Sequence, residues 1–362
     1  MNGEKLIYAS TEKSADMLYF AKMNIPDPVF AFTCKGEKHA LMSPLEFGRA
    51  KKESDFDVIH PTSRKPDAEE ILGVLKKLGI SKISVPREFP VWTYKYLIEQ
   101  GLTIDVCEGA FFSERRLKQD FEIAEIKKAN NAAAQSYTRV WQILQESKIE
   151  NSKLVWNKKI LTSETLKYEI EAVCLSLGAN SNHTIAACGN QACDPHNEGS
   201  GAVFANELIV VDIFPQMRQS GYFGDMTRTF IKGTPNDAQA NIVDAVRKAQ
   251  SNVIEKIKAG TRASSVHKCV ADFFENAGYA TKQIDDAWHG FFHSTGHGIG
   301  LEVHEEPRIS LATNTLAAGE VVTVEPGLYY PGIGACRIED NVLVRKNDCE
   351  KLSDFHYDWI VE

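Results

Sequence analysis

Over residues 291–340 the chain reads FFHSTGHGIGLEVHEEP and then TVEPGLYYPGIGACRIED, and this stretch sets the terms for any fold. It holds three histidines (His293, His297, His304), two glutamates beside strand-like runs (Glu325, Glu339) and Arg337, all among glycines. Upstream, VVDIFPQMRQSGYFGDMTRTF carries a second acidic pair, Asp212 and Asp225, flanking a turn that contains Gly221 and Gly224. Short β-branched runs are what a sheet buries, so the acids at their ends are expected to go inside with them. Burying several carboxylates without compensation costs several kcal/mol each, so the pattern predicts bound cations.

The order of elements around these acids repeats. DFEIAEIKKANNAAAQSYTRVWQILQ predicts an amphipathic helix with Phe121, Ile123, Ile126, Ala129, Ala133 and Tyr137 as its apolar stripe. SETLKYEIEAVCLSLG predicts a second helix stopped at Gly178, and LIVVDIF a strand leading into the first acidic hairpin. Helices over 235–259 and 264–277, closed near Gly260 and Gly278, then precede the histidine stretch and the second acidic hairpin. Residues 118–362 thus contain two helices and an acidic hairpin, twice over, with the hairpins expected to face one site.

Residues 1–114 differ in character. LIYAS, VFAFTC, HALMSP, KISVP and LTIDVCEG read as strands, interleaved with helices over 66–78 and in VWTYKYLIEQ. The expected fold class is α/β (α+β), with a small N-terminal α/β domain over 1–114 and a duplicated domain over 115–362. His39 and His60 stand alone in the first part and are read as surface or internally satisfied histidines.

Bulk properties exclude some functions. A formal charge of −8 leaves no basic stripe for nucleic acid. The dense patch Arg115, Arg116, Lys118 is followed at once by Asp120 and Glu122 and reads as a solvated helix entry. No apolar run approaches the ~18 residues of a membrane span. MNGEKLIYASTEKS lacks the regions of a signal peptide, and eight singly scattered cysteines read as reduced thiols, so the expected location is the cytoplasm. Cys188 and Cys193 lie near the candidate site but are given no chemical role.

The chemistry follows from residue types. His297, between Gly296 and Gly298, together with Asp212, Asp225, Glu325 and Glu339, suits two divalent metals that share carboxylates. Oxygen-rich coordination leans towards Mn²⁺, with Zn²⁺, Co²⁺ and Fe²⁺ compatible on geometric grounds. Two metals about 4 Å apart would lower the pKa of a bridging water and polarise a substrate carbonyl, the chemistry of metal-assisted hydrolysis. Glu325 is the candidate to take that water's proton and pass it to the leaving amine. His293 and His304 are placed to bind the substrate carbonyl or the tetrahedral oxyanion, and Arg337 to hold a carboxylate ligand. His267 and His289 are left outside the site.

At these residues the sequence resembles the pita-bread-fold metallopeptidases: aminopeptidase P, prolidase and, more distantly, methionine aminopeptidase. The motifs are HSTGHGIGLEVHEEP, TVEPGLYY, RIED and GYFGDMTRTF, and the likeness covers roughly residues 115–350. The resemblance implies a dinuclear centre with Asp212 on one metal, His297 and Glu325 on the other, and Asp225 and Glu339 bridging. It also implies substrate-binding roles for His196, His293 and His304, and places Tyr329 and Arg337 beside the centre. The N-terminal domain is similar to the one that aminopeptidase P and prolidase carry. The hairpin between Asp212 and Asp225 departs from the pattern, being two residues longer with PQMRQS in place of the common turn, and CDPHNEG around His196 is divergent.

The expected function is therefore a metal-dependent Xaa-Pro aminopeptidase acting on peptides with proline at the second position, as a homodimer. The alternative is an Xaa-Pro dipeptidase (prolidase), which accepts only dipeptides. A metal-free binding protein of the same fold and a creatine amidinohydrolase are further readings, and the five retained ligand positions count against both.

Overall fold

The computed structural model describes residues 3–62 and 64–362. The chain divides into two compact units, Met1–Arg115 and Arg116–Glu362.

In the first unit a four-stranded sheet runs in the order Leu6–Ala9, Val29–Cys34, Glu37–Met42, Val58–Pro61. Its first two pairings are antiparallel and its last is parallel. Side chains alternate between faces, as the two-residue period of a strand requires. Leu6, Phe30, Phe32 and Leu41 pack with Ile71, Leu75 and Leu97, while Ile7, Val29, Ala31 and Met42 pack with Met17 and Phe20. The helix expected over 66–78 spans Ala68–Lys77, because Asp67 caps it by accepting from the backbone N–H groups of Glu69 and Glu70. His39 and His60 are not solitary: their Nδ1 and Nε2 atoms lie 3.0 Å apart.

The second unit contains the two-fold repetition. Helices Asp120–Glu146 and Ser163–Ser176 precede strands Ile185–Cys188, Ile209–Ile213 and Met226–Lys232, which pair antiparallel. Helices Asp237–Ile254 and Ala263–Asn276 precede a second sheet, ordered Glu305–Ile309, Gly296–Gly298, Val321–Val324, Asp340–Val344, Cys349–Lys351. Each half has its own buried core, one around Tyr137, Leu144, Ile170 and Phe230, the other around Val246, Val253, Val270 and Val342. Thr227 and Glu339 form an antiparallel bridge between the halves. No helix among the described residues is long and apolar enough to cross a membrane.

Three local expectations need correction. Phe121 is exposed and Glu122 is buried in its stead, because the first helical turn directs Glu122 to the backbone N–H of Gln119 and to the Tyr222 hydroxyl. The helix expected to reach residue 259 ends at Ile254, where i→i+3 bonds from Lys256 and Ile257 tighten the chain and Ile257 is buried. The basic patch is not solvated as a whole: Arg116 pairs with Glu320 and Lys118 is buried against Glu305.

Candidate metal centre

Each expected ligand stands at a strand end or in a very short strand. Asp212 lies in Ile209–Ile213, and Asp225 immediately precedes Met226–Lys232. Glu325 follows Val321–Val324 at the Pro326-Gly327 turn, and Glu339 precedes Asp340–Val344. His297 sits in Gly296–Gly298. The glycines beside it serve strand packing, since a Cβ on Gly296 would strike the Thr323 carbonyl and one on Gly298 the Glu306 carbonyl.

These positions bring the side chains together in the interior of the unit. Asp212, Asp225, His297 and Glu339 are buried, and Glu325 nearly so. One ligand atom each from Asp225, His297 and Glu339 lies within 4.8 Å of the others. His297 Nε2 is 3.4 Å from Glu325 Oε1 and 3.8 Å from Asp225 Oδ2. Its Nδ1 lies 3.1 Å from the Gly298 carbonyl, which fixes the proton on Nδ1 and turns the Nε2 lone pair towards the acids.

The hydrogen bonds around the acids are incomplete in a telling way. Asp212 Oδ2 accepts from Arg337 Nη2 at 2.7 Å, and Glu339 Oε2 from the Thr227 hydroxyl at 2.7 Å. Asp212 Oδ1, Asp225 Oδ1 and Glu339 Oε1 are buried with no hydrogen-bond partner. A buried carboxylate oxygen without a donor is costly unless it protonates or meets a cation. Burial first, and then repulsion from the neighbouring acids, holds the Asp225 and Glu339 carboxyls well above the usual range. Glu325 is pushed up to about 8, mainly by burial, with Arg337 opposing. Burial pushes His297 down to about 3, so its ring is neutral and free to ligate. Four oxygen-bearing acids and one neutral imidazole fit divalent cations.

Beside the acids runs a polar chain in which every proton can be assigned. His293 Nδ1 is 2.8 Å from the Ser294 carbonyl and must carry the proton; Nε2 then accepts from the Tyr329 hydroxyl at 2.9 Å. Tyr329 in turn accepts from Arg337 Nη1 at 2.9 Å. Burial sends His293 down to about 3 and Tyr329 up to about 12. Both nitrogens of His293 are thus engaged within the protein. His304 is exposed, its ring edge-on to His297 at 4.4 Å between centroids. His196 is exposed as well, on a segment whose Pro195 carbonyl accepts from Arg337 at 3.4 Å. Cys188 and Cys193 are pushed up, to about 12 and about 11, by burial, and stay thiols.

Some participants were not singled out from the sequence. Thr227, two residues beyond Asp225, holds Glu339. Asn130 Oδ1 accepts from the Asp225 backbone N–H at 3.1 Å and from Asn341 at 2.9 Å. His267 Nδ1 meets the Thr295 hydroxyl at 3.0 Å. Their common signal is a polar residue on an otherwise apolar face, visible for Asn130 between Ala129 and Ala133.

Comparison with known proteins agrees with this picture. Residues 124–346 match metallopeptidase family M24. The chain is 29% identical to an Xaa-Pro dipeptidase of Pyrococcus furiosus over 97% of each chain. It is 30% identical to an Xaa-Pro dipeptidase of Pyrococcus horikoshii over 88% of this chain and 84% of that one. In fold it resembles the X-Pro aminopeptidase of Thermotoga maritima, with a TM-score of 0.84 at 23% identity over 99% of this chain and 97% of that one.

Proposed function

The chain belongs to metallopeptidase family M24, and from that premise we propose that it is an Xaa-Pro dipeptidase, a prolidase, using two divalent metal ions. This departs from the expectation of an aminopeptidase for longer peptides. The dipeptidase reading is favoured because relatives similar over nearly their whole length carry that name. The observation that carries the hydrolytic reading is the set of partnerless oxygens on Asp212, Asp225 and Glu339, the last two residues gathered beside a neutral His297.

Asp212, Asp225, His297, Glu325 and Glu339 would hold the ions. Such ions supply polarisation of the scissile carbonyl and a nucleophilic water near neutral pH. Glu325, the most accessible of the acids, takes a proton from the attacking water and delivers it to the leaving proline nitrogen. Arg337 donates to Asp212 Oδ2 and orients that carboxylate. The exposed rings of His304 and His196 are free to contact the substrate carbonyl and its developing negative charge. Tyr329 donates to His293 Nε2, so a substrate contact there requires this hydroxyl to share or yield its place. Free cysteines throughout the chain support a reducing compartment, the cytoplasm.

The test is cleavage of Ala-Pro and Ala-Pro-Ala by Mn²⁺-loaded protein. Cleavage of the dipeptide with little of the tripeptide is expected. Efficient tripeptide cleavage would restore the aminopeptidase reading, and inertness towards both would remove proline specificity.

A further inference from the structure

Gln250 lies on helix Asp237–Ile254 and is buried, and its side-chain hydrogen bonds go to groups other than the proposed ligand side chains. Its Nε2 faces three oxygens: the Val324 carbonyl at 3.0 Å, the Ile338 carbonyl at 3.2 Å and Asp340 Oδ2 at 3.1 Å. Only an NH₂ group can face three acceptors, so the amide orientation is fixed. The two carbonyls belong to the residues immediately before Glu325 and Glu339.

Each of those peptide units is held at its other end too. The Glu325 N–H donates to the Thr295 carbonyl at 2.8 Å, and the Glu339 N–H to the Thr227 carbonyl at 3.0 Å. Asp340, which accepts from Gln250, also binds Arg228 at 2.8 Å and the Tyr357 hydroxyl at 2.6 Å. Arg228 donates to the Glu339 carbonyl at 2.7 Å. The backbone that aims Glu339 is therefore clamped on both sides of the residue.

The first half repeats the device with a different side chain. Tyr137, on helix Asp120–Glu146, places its hydroxyl 2.9 Å from the carbonyl of Val211, the residue before Asp212. In both halves the leading helix thus sends buried polar side chains to peptide units that precede an acid, and in the first half Asn130 joins Tyr137 by accepting from the Asp225 N–H. Packing alone does not require this, since an apolar residue would fill either position.

We infer that Gln250 is a positioning residue: it ties together the peptide units that deliver Glu325 and Glu339, and so sets the affinity of the centre for divalent ions. The inference rests on the proposed metal centre but not on proline specificity.

The experiment is titration of metal-free protein with Mn²⁺ by calorimetry, alongside the melting temperature of each metal-free variant. Gln250→Met removes the donors at similar volume, and Gln250→Asn keeps an amide that falls short. Val253→Ala, on the same helix and buried in the core away from the acids, is the stability control. Both Gln250 variants should raise the Mn²⁺ dissociation constant by about tenfold or more. Val253→Ala should lower the melting temperature and leave Mn²⁺ affinity intact. Wild-type affinity in Gln250→Asn, or an equal loss in Val253→Ala, overturns the inference. A wild-type protein that binds no Mn²⁺ overturns it together with the centre. Normal Mn²⁺ binding without cleavage of Ala-Pro overturns only the proposed function.

Discussion

The Tyr329 hydroxyl lies 2.9 Å from His293 Nε2, and because His293 Nδ1 is already committed to the Ser294 carbonyl, Tyr329 is the donor. Arg337 supplies the hydrogen bond that Tyr329 accepts. One phenol therefore connects the guanidinium that holds Asp212 to the His293 imidazole.

Tyr329→Phe breaks that chain while preserving the ring. It leaves Arg337 Nη1 with only the Pro195 carbonyl and removes the donor at His293 Nε2. We expect kcat/KM on Ala-Pro to fall about tenfold to a hundredfold, the range seen when an outer hydrogen-bond partner is lost. Unchanged kinetics in Tyr329→Phe would mean that the chain is structural only.

Glu325→Gln keeps shape and removes both the proposed metal-binding charge and the proposed proton carrier. The fold should survive, read as an unchanged far-ultraviolet spectrum, and kcat should drop by at least about 10²–10⁴-fold, the usual worth of a general base. A variant turning over at a rate near wild type would exclude Glu325 from proton transfer.

Metal-free protein should show an inverted pH response. The Glu325 carboxyl is raised to about 8 in the fold, chiefly by burial, against about 4.3 in an unfolded chain. Between those values the folded chain binds more protons than the unfolded one. Its contribution to stability is complete below about pH 4.3 and is lost as pH rises through about 8. Divalent ions bind the deprotonated form and take over from the protons. The rise in melting temperature on adding Mn²⁺ should therefore be larger at about pH 8.5 than at about pH 5.5. Equal shifts at the two pH values would contradict the raised carboxyl.

Gly296→Ala tests the strand contact behind His297. The added methyl meets the Thr323 carbonyl, which is backbone and cannot step aside cheaply. A loss of about 1–3 kcal/mol, typical of overpacking, is expected in denaturant unfolding. Full wild-type stability would show that the two strands can separate without cost.

Much of this arrangement is legible in the sequence because strand ends announce themselves. A β-branched run that stops in an acid at a Pro-Gly turn, as at Glu325, admits few other readings. The duplication is legible from element order alone. What escapes is the identity of partners far apart in the chain. Lys118 reads as a solvated charge because nothing nearby in sequence reveals Glu305, 187 positions away. Gln250 escapes for a related reason. It sits among Val246, Ala249 and Val253 on a stripe that marks the core, and its worth depends on which carbonyls face it. Those carbonyls lie 74 and 88 residues downstream.

The division of ligands between the halves has a thermodynamic consequence. Asp212 and Asp225 come from the first half, and His297, Glu325 and Glu339 from the second, so neither half alone carries the full donor set. Ions held by this proposed set would act as a clasp across that seam, and their binding free energy would be credited to the association of the halves. In a chain cut in the link between Lys232 and Asn236, such ions would add to the Thr227–Glu339, Arg228–Asp340 and Asp212–Arg337 contacts, and a chelator should weaken the association of the two pieces.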